Sequence, residues 1–482
     1  MPPSGARQEN LALLRYTYAI HQCKDLIMNT KTDAQLGHHN NVVRALLPAA
    51  LLAANASLAA AIADVNEPRY LQVAAVYNDD SIQIRLRYAI EQPSWYHQVW
   101  RYTNGQWVRH GQGGPDADPA GLYEDRISMM LADDGVPDFA RFGGFMTAHD
   151  GMRTLDSAID SEAVQAHPVL GDDLGRSDVR KFIPQSRNDA DRAAWDDIRS
   201  AEELQAMRER GEFIDLWQWR AHRSNPVGVA DNGYVLHYRL SSSGRGMYTT
   251  NWDDEAGQPV WMFDSDITGF HALAWDRLLE SAYGQDDHYF LAEGHAVPFD
   301  PDHDWQEGDV IPQRFLRAPS GSRGAIAAAG RYEDGAWHVV LTRSLDAPDP
   351  TDSKSLQPGG EYTVAFAVHE GQGARWHRVS MPLTLRLDDG SEPDIGTVMP
   401  VITARHAYGA LADAIVEYTD VRLIHPGQIT WQWLHSADHP GQNLISETPV
   451  GFHDVSPLHP LDRLAEWIIH HDETGELPEG AP

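Results

Sequence analysis

The sequence predicts a mostly-β protein, an antiparallel β-sandwich with short helices and long loop insertions. Three observations carry that expectation: apolar and polar residues alternate with period two along many short runs, turn signals separate the runs, and helical periodicity is scarce. Residues 73–77 and 81–88 alternate about Asn78-Asp79-Asp80, as a hairpin should, and 96–109 repeat the pattern about Asn104-Gly105. Further strands are expected at 213–219, 233–240, 337–343, 361–368 and 379–385. Asp334-Gly335, Pro358-Gly359-Gly360 and Asp388-Asp389-Gly390 provide the punctuation. Many short strands of this kind build a sandwich or a barrel, and the sandwich is the expected form. Two amphipathic helices are expected, at 201–210 before Gly211 and at 461–470 with Leu461, Leu464, Ala465 and Ile468 on one face. Residues 241–330 are rich in Gly, Pro, Asp and aromatics and read as an insertion. The composition shifts after about 386, so 386–482 read as an appended segment.

Of 482 residues, 42% are hydrophobic and 9% aromatic, enough for a folded core. The net charge of −32, from 70 acidic and 38 basic residues, argues against nucleic acid and anionic lipid as partners. It suits docking to a basic partner. The single cysteine, Cys23, excludes an intramolecular disulfide, an iron–sulfur cluster and two-thioether haem attachment. The only lysines are Lys24, Lys31, Lys181 and Lys354, so a lysine ligand has few candidates.

Residues 42–63 resemble a signal peptide: Arg44 precedes a Leu/Ala-rich run that ends in Ala61-Ile62-Ala63 before Asp64. The run is too short and Ala-rich for a good spanning helix. About forty polar residues precede it, so the expected start of translation lies near Val42 or Val43, with 1–41 an extension. A buried Ala-rich helix is the alternative. Export would place the mature chain, 64–482, in the periplasm, with 64–385 as its main domain.

The runs Gly-Arg-Tyr-Glu-Asp-Gly-Ala-Trp-His-Val-Val-Leu-Thr-Arg-Ser-Leu (330–345) and Pro-Gly-Gly-Glu-Tyr-Thr-Val-Ala-Phe-Ala-Val-His-Glu-Gly (358–371) are followed by His-Arg-Val-Ser (377–380). With the hairpin at 73–88, Tyr123-Glu124-Asp125-Arg126 and Asp215-Leu216-Trp217-Gln218-Trp219-Arg220-Ala221, they resemble the haem-binding domain of the ethylbenzene dehydrogenase gamma subunit and its DMSO-reductase-type relatives. The resemblance spans about 70–385. It implies a β-sandwich that holds one haem and passes electrons to or from a redox partner, a molybdenum oxidoreductase or a membrane cytochrome.

Relatives of the c-type branch carry Cys-x-x-Cys-His after the Glu-Asp-Arg strand. Here Phe145 and Ala148 stand at the two cysteine positions and His149 at that of the iron ligand. Thioether attachment needs two thiols, so the expected cofactor is non-covalent, b-type haem. The gamma-subunit branch holds iron with Met and Lys. The methionine candidates are Met146 and Met152 beside His149, and Met129 and Met130 on the neighbouring strand. Lys181 and Lys354 are the lysine candidates, and His377 stands where a lysine would align before the last strand. A pocket that kept the histidine and lost its haem is the competing expectation.

Other constellations are weaker. His435 and His439 have the spacing of helical zinc ligands, but Pro440 argues for a loop. Asp300, Asp302 and Asp304, and Asp286 with Asp287, are more simply solvated loops than calcium sites. Trp95, Trp100, Trp217 and Trp219 suit a core, or a haem or sugar pocket. Three functions therefore stand: a haem electron carrier that performs no bond chemistry of its own, a haem-free binding or assembly module, and a carbohydrate-binding or hydrolytic protein. If 42–63 is a signal, N-terminal sequencing of the native protein should begin at or near Asp64. Intact Met1 in cytoplasmic protein would sink the export expectation.

Overall fold

The computed structural model describes residues 69–111, 122–147, 150–153, 158–371, 377–391 and 400–424. The segments 1–41, 42–63 and 425–482, with the expected signal, the second helix and the His435/His439 pair, lie outside the described residues, as does His149.

The protein is mostly β, and its main sheet closes on itself. Ten strands make the ring: β1 (Arg69–Tyr77), β2 (Ser81–Ala89), β3 (Arg126–Ala132), β4 (Ile214–Arg220), β5 (Val229–Val235), β6 (Ile326–Glu333), β7 (Ala336–Ser344), β8 (Glu361–His369), β9 (Leu383–Asp388) and β10 (Val401–His406). Their order around the ring is β1-β2-β7-β6-β5-β4-β3-β8-β9-β10 and back to β1. Neighbours are antiparallel, except that β10 runs parallel to β9 and, through Val76↔Arg405 and Tyr77↔His406, to β1. The expected sandwich is therefore corrected to a closed barrel with extra strands. A sandwich and a barrel share the same alternation, because in both one face of every strand points to one core. What separates them is whether the first and last strands meet. That contact joins residues more than three hundred positions apart, and closure leaves neither strand with an unpaired edge there.

Inward-facing residues fill the barrel: Leu71, Val73, Ile84, Leu86, Met129, Leu131, Trp217, Trp219, Trp337, Val339, Val364 and Phe366 belong to one buried cluster. The indoles pack edge to face, with Trp219–Trp337 and Trp337–Trp95 centroids each 4.8 Å apart. Gly330 makes the room, since a Cβ there would lie 2.4 Å from Cζ2 of Trp219. At one end the fully buried Arg343 Nη1 donates to Asp215 Oδ2 at 2.6 Å, and the loop after β7 adds the Lys354 backbone N–H at 2.9 Å. Removing either partner would strand a buried charge.

The expected hairpins form at β1–β2 and at Val99–Thr103 with Gln106–His110, where Asn104 and Gly105 both take positive φ. The run 379–385 is divided into Arg378–Ser380 and β9 by Met381-Pro382, because Pro382 has no N–H to continue a ladder. The run 233–240 folds back on itself about His237, pairing Val235 with Arg239. Short strands in 241–325 pack, with Trp95, Tyr96 and Val99, onto the barrel core. Beyond residue 385, β10 completes the ring and Thr419–Ile424 pairs with β1.

A second layer covers the outside of β3, β4, β5 and β8. It comprises the described residues of 133–212, with α1 (Pro137–Phe142), α2 (Ser161–Gln165) and α3 (Ala201–Glu209). Ser200 and Glu203 form a capping box at the start of α3, and Leu204 and Met207 bury its apolar face. Phe139, Phe142, Phe145, Met146, Phe182 and Ile183 of this layer join Met130, Leu216 and Ala365 of the barrel in a separate outer core.

Candidate functional site

The site builds from the pleat of β3. Successive side chains of a strand point to opposite faces, so Met129 enters the barrel and Met130 faces the outer layer. Register then sets three rows across the outer face. Met130 lies between Ala365 of β8 and Leu216 of β4, Ser128 between Ala367 and Gln218, and Arg126 between His369 and Arg220. The surface thus grades from apolar, through small, to cationic over one strand's length, about 13 Å. Ala365, Ala367 and Ser128 are small, and the 143–144 backbone comes close to this face: a Cβ on Gly143 would lie 3.5 Å from the Ala365 Cβ and one on Gly144 3.9 Å from the Met130 sulfur.

Lys181 comes to this region from the segment 179–183, which is fixed to the barrel by the Ile183 N–H donating to the Leu236 carbonyl at 2.8 Å. Its neighbours Phe182 and Ile183 are fully buried, and Lys181 itself is partly buried. Among the described residues its amine has no hydrogen bond and no carboxylate partner. Burial, together with the positive fields of Arg239 and Arg126, pushes it down to about 8. Burial also lowers Arg239 to about 9 and Arg126 to about 10, and like charges add to both shifts. Buried His369 is held well below its ordinary value, first by burial and then by Arg126, His377 and Lys181. His377 stacks on His369 with centroids 4.6 Å apart and planes 8° off parallel.

Behind the cationic row sits a buried node. Glu124 accepts from the backbone N–H of His222 (2.6 Å) and Arg223 (2.8 Å), and from the Arg223 guanidinium. Burial raises the Glu124 carboxyl, but Arg223 outweighs it and holds the group ionised. Tyr123 lies under both Arg126 and Arg223, with guanidinium-to-ring distances of 5.0 and 5.7 Å. Asp125 accepts from Ser94 N–H (2.8 Å) and Trp337 Nε1 (2.9 Å), and burial raises it to about 7.

The ethylbenzene dehydrogenase family model matches residues 43–380. The chain belongs to the ethylbenzene dehydrogenase family. No curated protein matches it.

On the barrel the candidate ligands separate. Met130 and Met146 share the outer core, Met152 is buried on the 150–153 turn outside that core, and Met129 is barrel filling. Lys354 lies elsewhere: its amine pairs with Asp133 Oδ1 at 2.7 Å, donates to the Gly211 carbonyl and sits over Phe213. His377 lines the His369 end. Sequence reasoning missed Arg126, Gln218, Arg239 and His369 as site residues. The signal was parity, since 126, 128 and 130, 216, 218 and 220, and 365, 367 and 369 each share one side of their strand.

Asp125 gives a pH test. Its folded value of about 7 lies above an unfolded value of about 4, so the folded state holds a proton that the unfolded chain releases. The stability this confers is fully present below about pH 4 and is lost as pH rises through about 7. Asp125→Asn should therefore gain on the wild type between pH 5 and pH 8 by on the order of a few kcal/mol, read as a difference in Tm at the two pH values. A Tm difference that does not change with pH would contradict the raised carboxyl.

Proposed function

We propose that the chain is an exported, haem-b-binding electron-transfer subunit of an oxidoreductase complex. In this reading the haem lies between the outer face of β3, β4 and β8 and the layer 133–212. The observation that carries it is Lys181, a partly buried amine with neither hydrogen bond nor carboxylate among the described residues, whose charged neighbours include Arg126 and His369 on the β3–β8 face that also carries Met130. A lysine enclosed only for structure is normally paired, as Lys354 is here with Asp133.

The residues present fit such a group. Met130, on the outer face of β3, and Lys181, from the segment 179–183, would hold the iron. Met146, in the same core, is the alternative sulfur. Ala365, Ala367 and Ser128 are small residues on the sheet, and Phe142, Phe145 and Leu216 supply low-dielectric walls. When bound, haem supplies one-electron Fe(III)/Fe(II) chemistry, with its potential set by the axial pair and its surroundings. The chain's own part is to hold the ring, exclude water and fix the ligands. Family membership supports an oxidoreductase partner, a molybdenum enzyme in this reading, and the 42–63 pattern supports a periplasmic location.

Protein purified from the periplasm with haem plentiful should show a Soret band, and acid-acetone should extract a b-type haem. Lys181→Ala and Met130→Ala should each lose most of it. Lys354→Met, Met207→Ala and Met129→Ala should retain it, although the last opens a core cavity costing about 2–5 kcal/mol. Unchanged haem in Lys181→Ala with loss in His149→Ala would transfer the ligand role to His149. A colourless wild-type protein would contradict the reading and favour a binding module that has lost its cofactor.

A further inference from the structure

The cationic end of the outer face concentrates guanidinium groups in a chain whose net charge is −32. Arg220 is answered by Asp231 at 2.7 Å, Arg323 by the same carboxylate at 3.0 Å, and Arg223 by Glu124. Arg239 differs. Among the described residues it forms no ion pair, and its Nη1 donates to the amide oxygen of Gln218 at 3.0 Å. That same oxygen accepts from Arg220 Nη2 at 2.6 Å, so two guanidiniums share one neutral acceptor. Gln218 is itself held against the sheet by Nε2 donating to Ser128 Oγ at 3.3 Å, and Ser128 lies one row from Arg126 and one from Met130. Tyr123 lies under Arg126 and helps to hold that guanidinium at the edge of the row. Guanidiniums gathered round a neutral oxygen are an arrangement that an added carboxylate stabilises, because charge-assisted, bidentate pairing then replaces like-charge crowding.

We propose that Arg239 and Arg126 bind the two propionate carboxylates of the haem, so that the ring lies with its propionate edge toward the Arg126–His369 row and its apolar edge toward Met130, Ala365 and Leu216. The inference rests on the haem reading and adds the orientation of the ring and the residues that select a dicarboxylate porphyrin. The gradient from apolar to cationic along the face matches an amphipathic macrocycle in one direction only. Arg126 and Arg239 act here as binding residues, and they touch the carboxylates rather than the iron.

The test titrates haem-free protein with ferric protoporphyrin IX and, separately, with its dimethyl ester, whose carboxylates are capped. Affinity is read from the Soret band. In the wild type the ester should bind about tenfold to hundredfold more weakly than the free acid. The penalty should shrink to less than about threefold in Arg126→Gln/Arg239→Gln, with affinity for the acid falling toward that for the ester. Arg239→Lys should retain part of the discrimination, and Arg331→Gln, an exposed arginine far along β6, should retain all of it. The wild-type comparison decides the matter even if the double variant does not fold. Normal binding of both porphyrins with equal affinity would overturn this inference and leave the haem reading standing. Binding of neither would remove the haem reading and this inference together.

Discussion

The pleat of β3 is the constraint on which the account depends. Because successive residues of a strand face opposite ways, Met129 is committed to the barrel core and Met130 to the outer layer. The same parity sets Ser128 and Arg126 beside Met130 on the outer face, and pairing with β4 and β8 extends each into a row. A slip of one residue in the pairing with β4 would move Trp217 and Trp219 outward and bring Leu216, Gln218 and Arg220 into a space filled by indoles. Burial of the tryptophans, each worth a few kcal/mol of apolar surface, therefore fixes the register that composes the outer face.

Barrel and outer layer divide the work. The interior is occupied by side chains, and its ends are tied by buried charges such as Arg343–Asp215, so it serves as a rigid wall. The outer face looks onto a layer of short helices and turns, where an enclosed lysine and paired histidines occur together. Preorganisation of this kind suits an electron carrier, whose site should change little between oxidation states.

Much of the fold was legible in the sequence, because alternation and turn chemistry are local. The hairpin about Asn104-Gly105 needs two positive-φ residues in a row, and the sequence supplies a pair that tolerates them. Closure was not legible. It rests on Val76 and Tyr77 meeting Arg405 and His406, and nothing near either segment signals the other. The site was legible only in part. Composition left two lysines after the expected cleavage point, and only three-dimensional placement separates Lys181, with no carboxylate partner among the described residues, from Lys354, which is paired with Asp133. The choice between Met129 and Met130 and the arginine row are questions of parity across three strands distant in sequence, which no single window contains.

The central claim is that iron is held by Lys181 and a methionine on the outer face of the barrel. Near-infrared magnetic circular dichroism, with electron paramagnetic resonance, of the ferric protein purified from the periplasm tests it most directly, because the ligand-to-metal bands report the axial pair itself. The account predicts low-spin ferric haem with methionine–amine ligation. Bis-histidine or histidine–methionine ligation, or no haem signal in protein made with haem in excess, would contradict it.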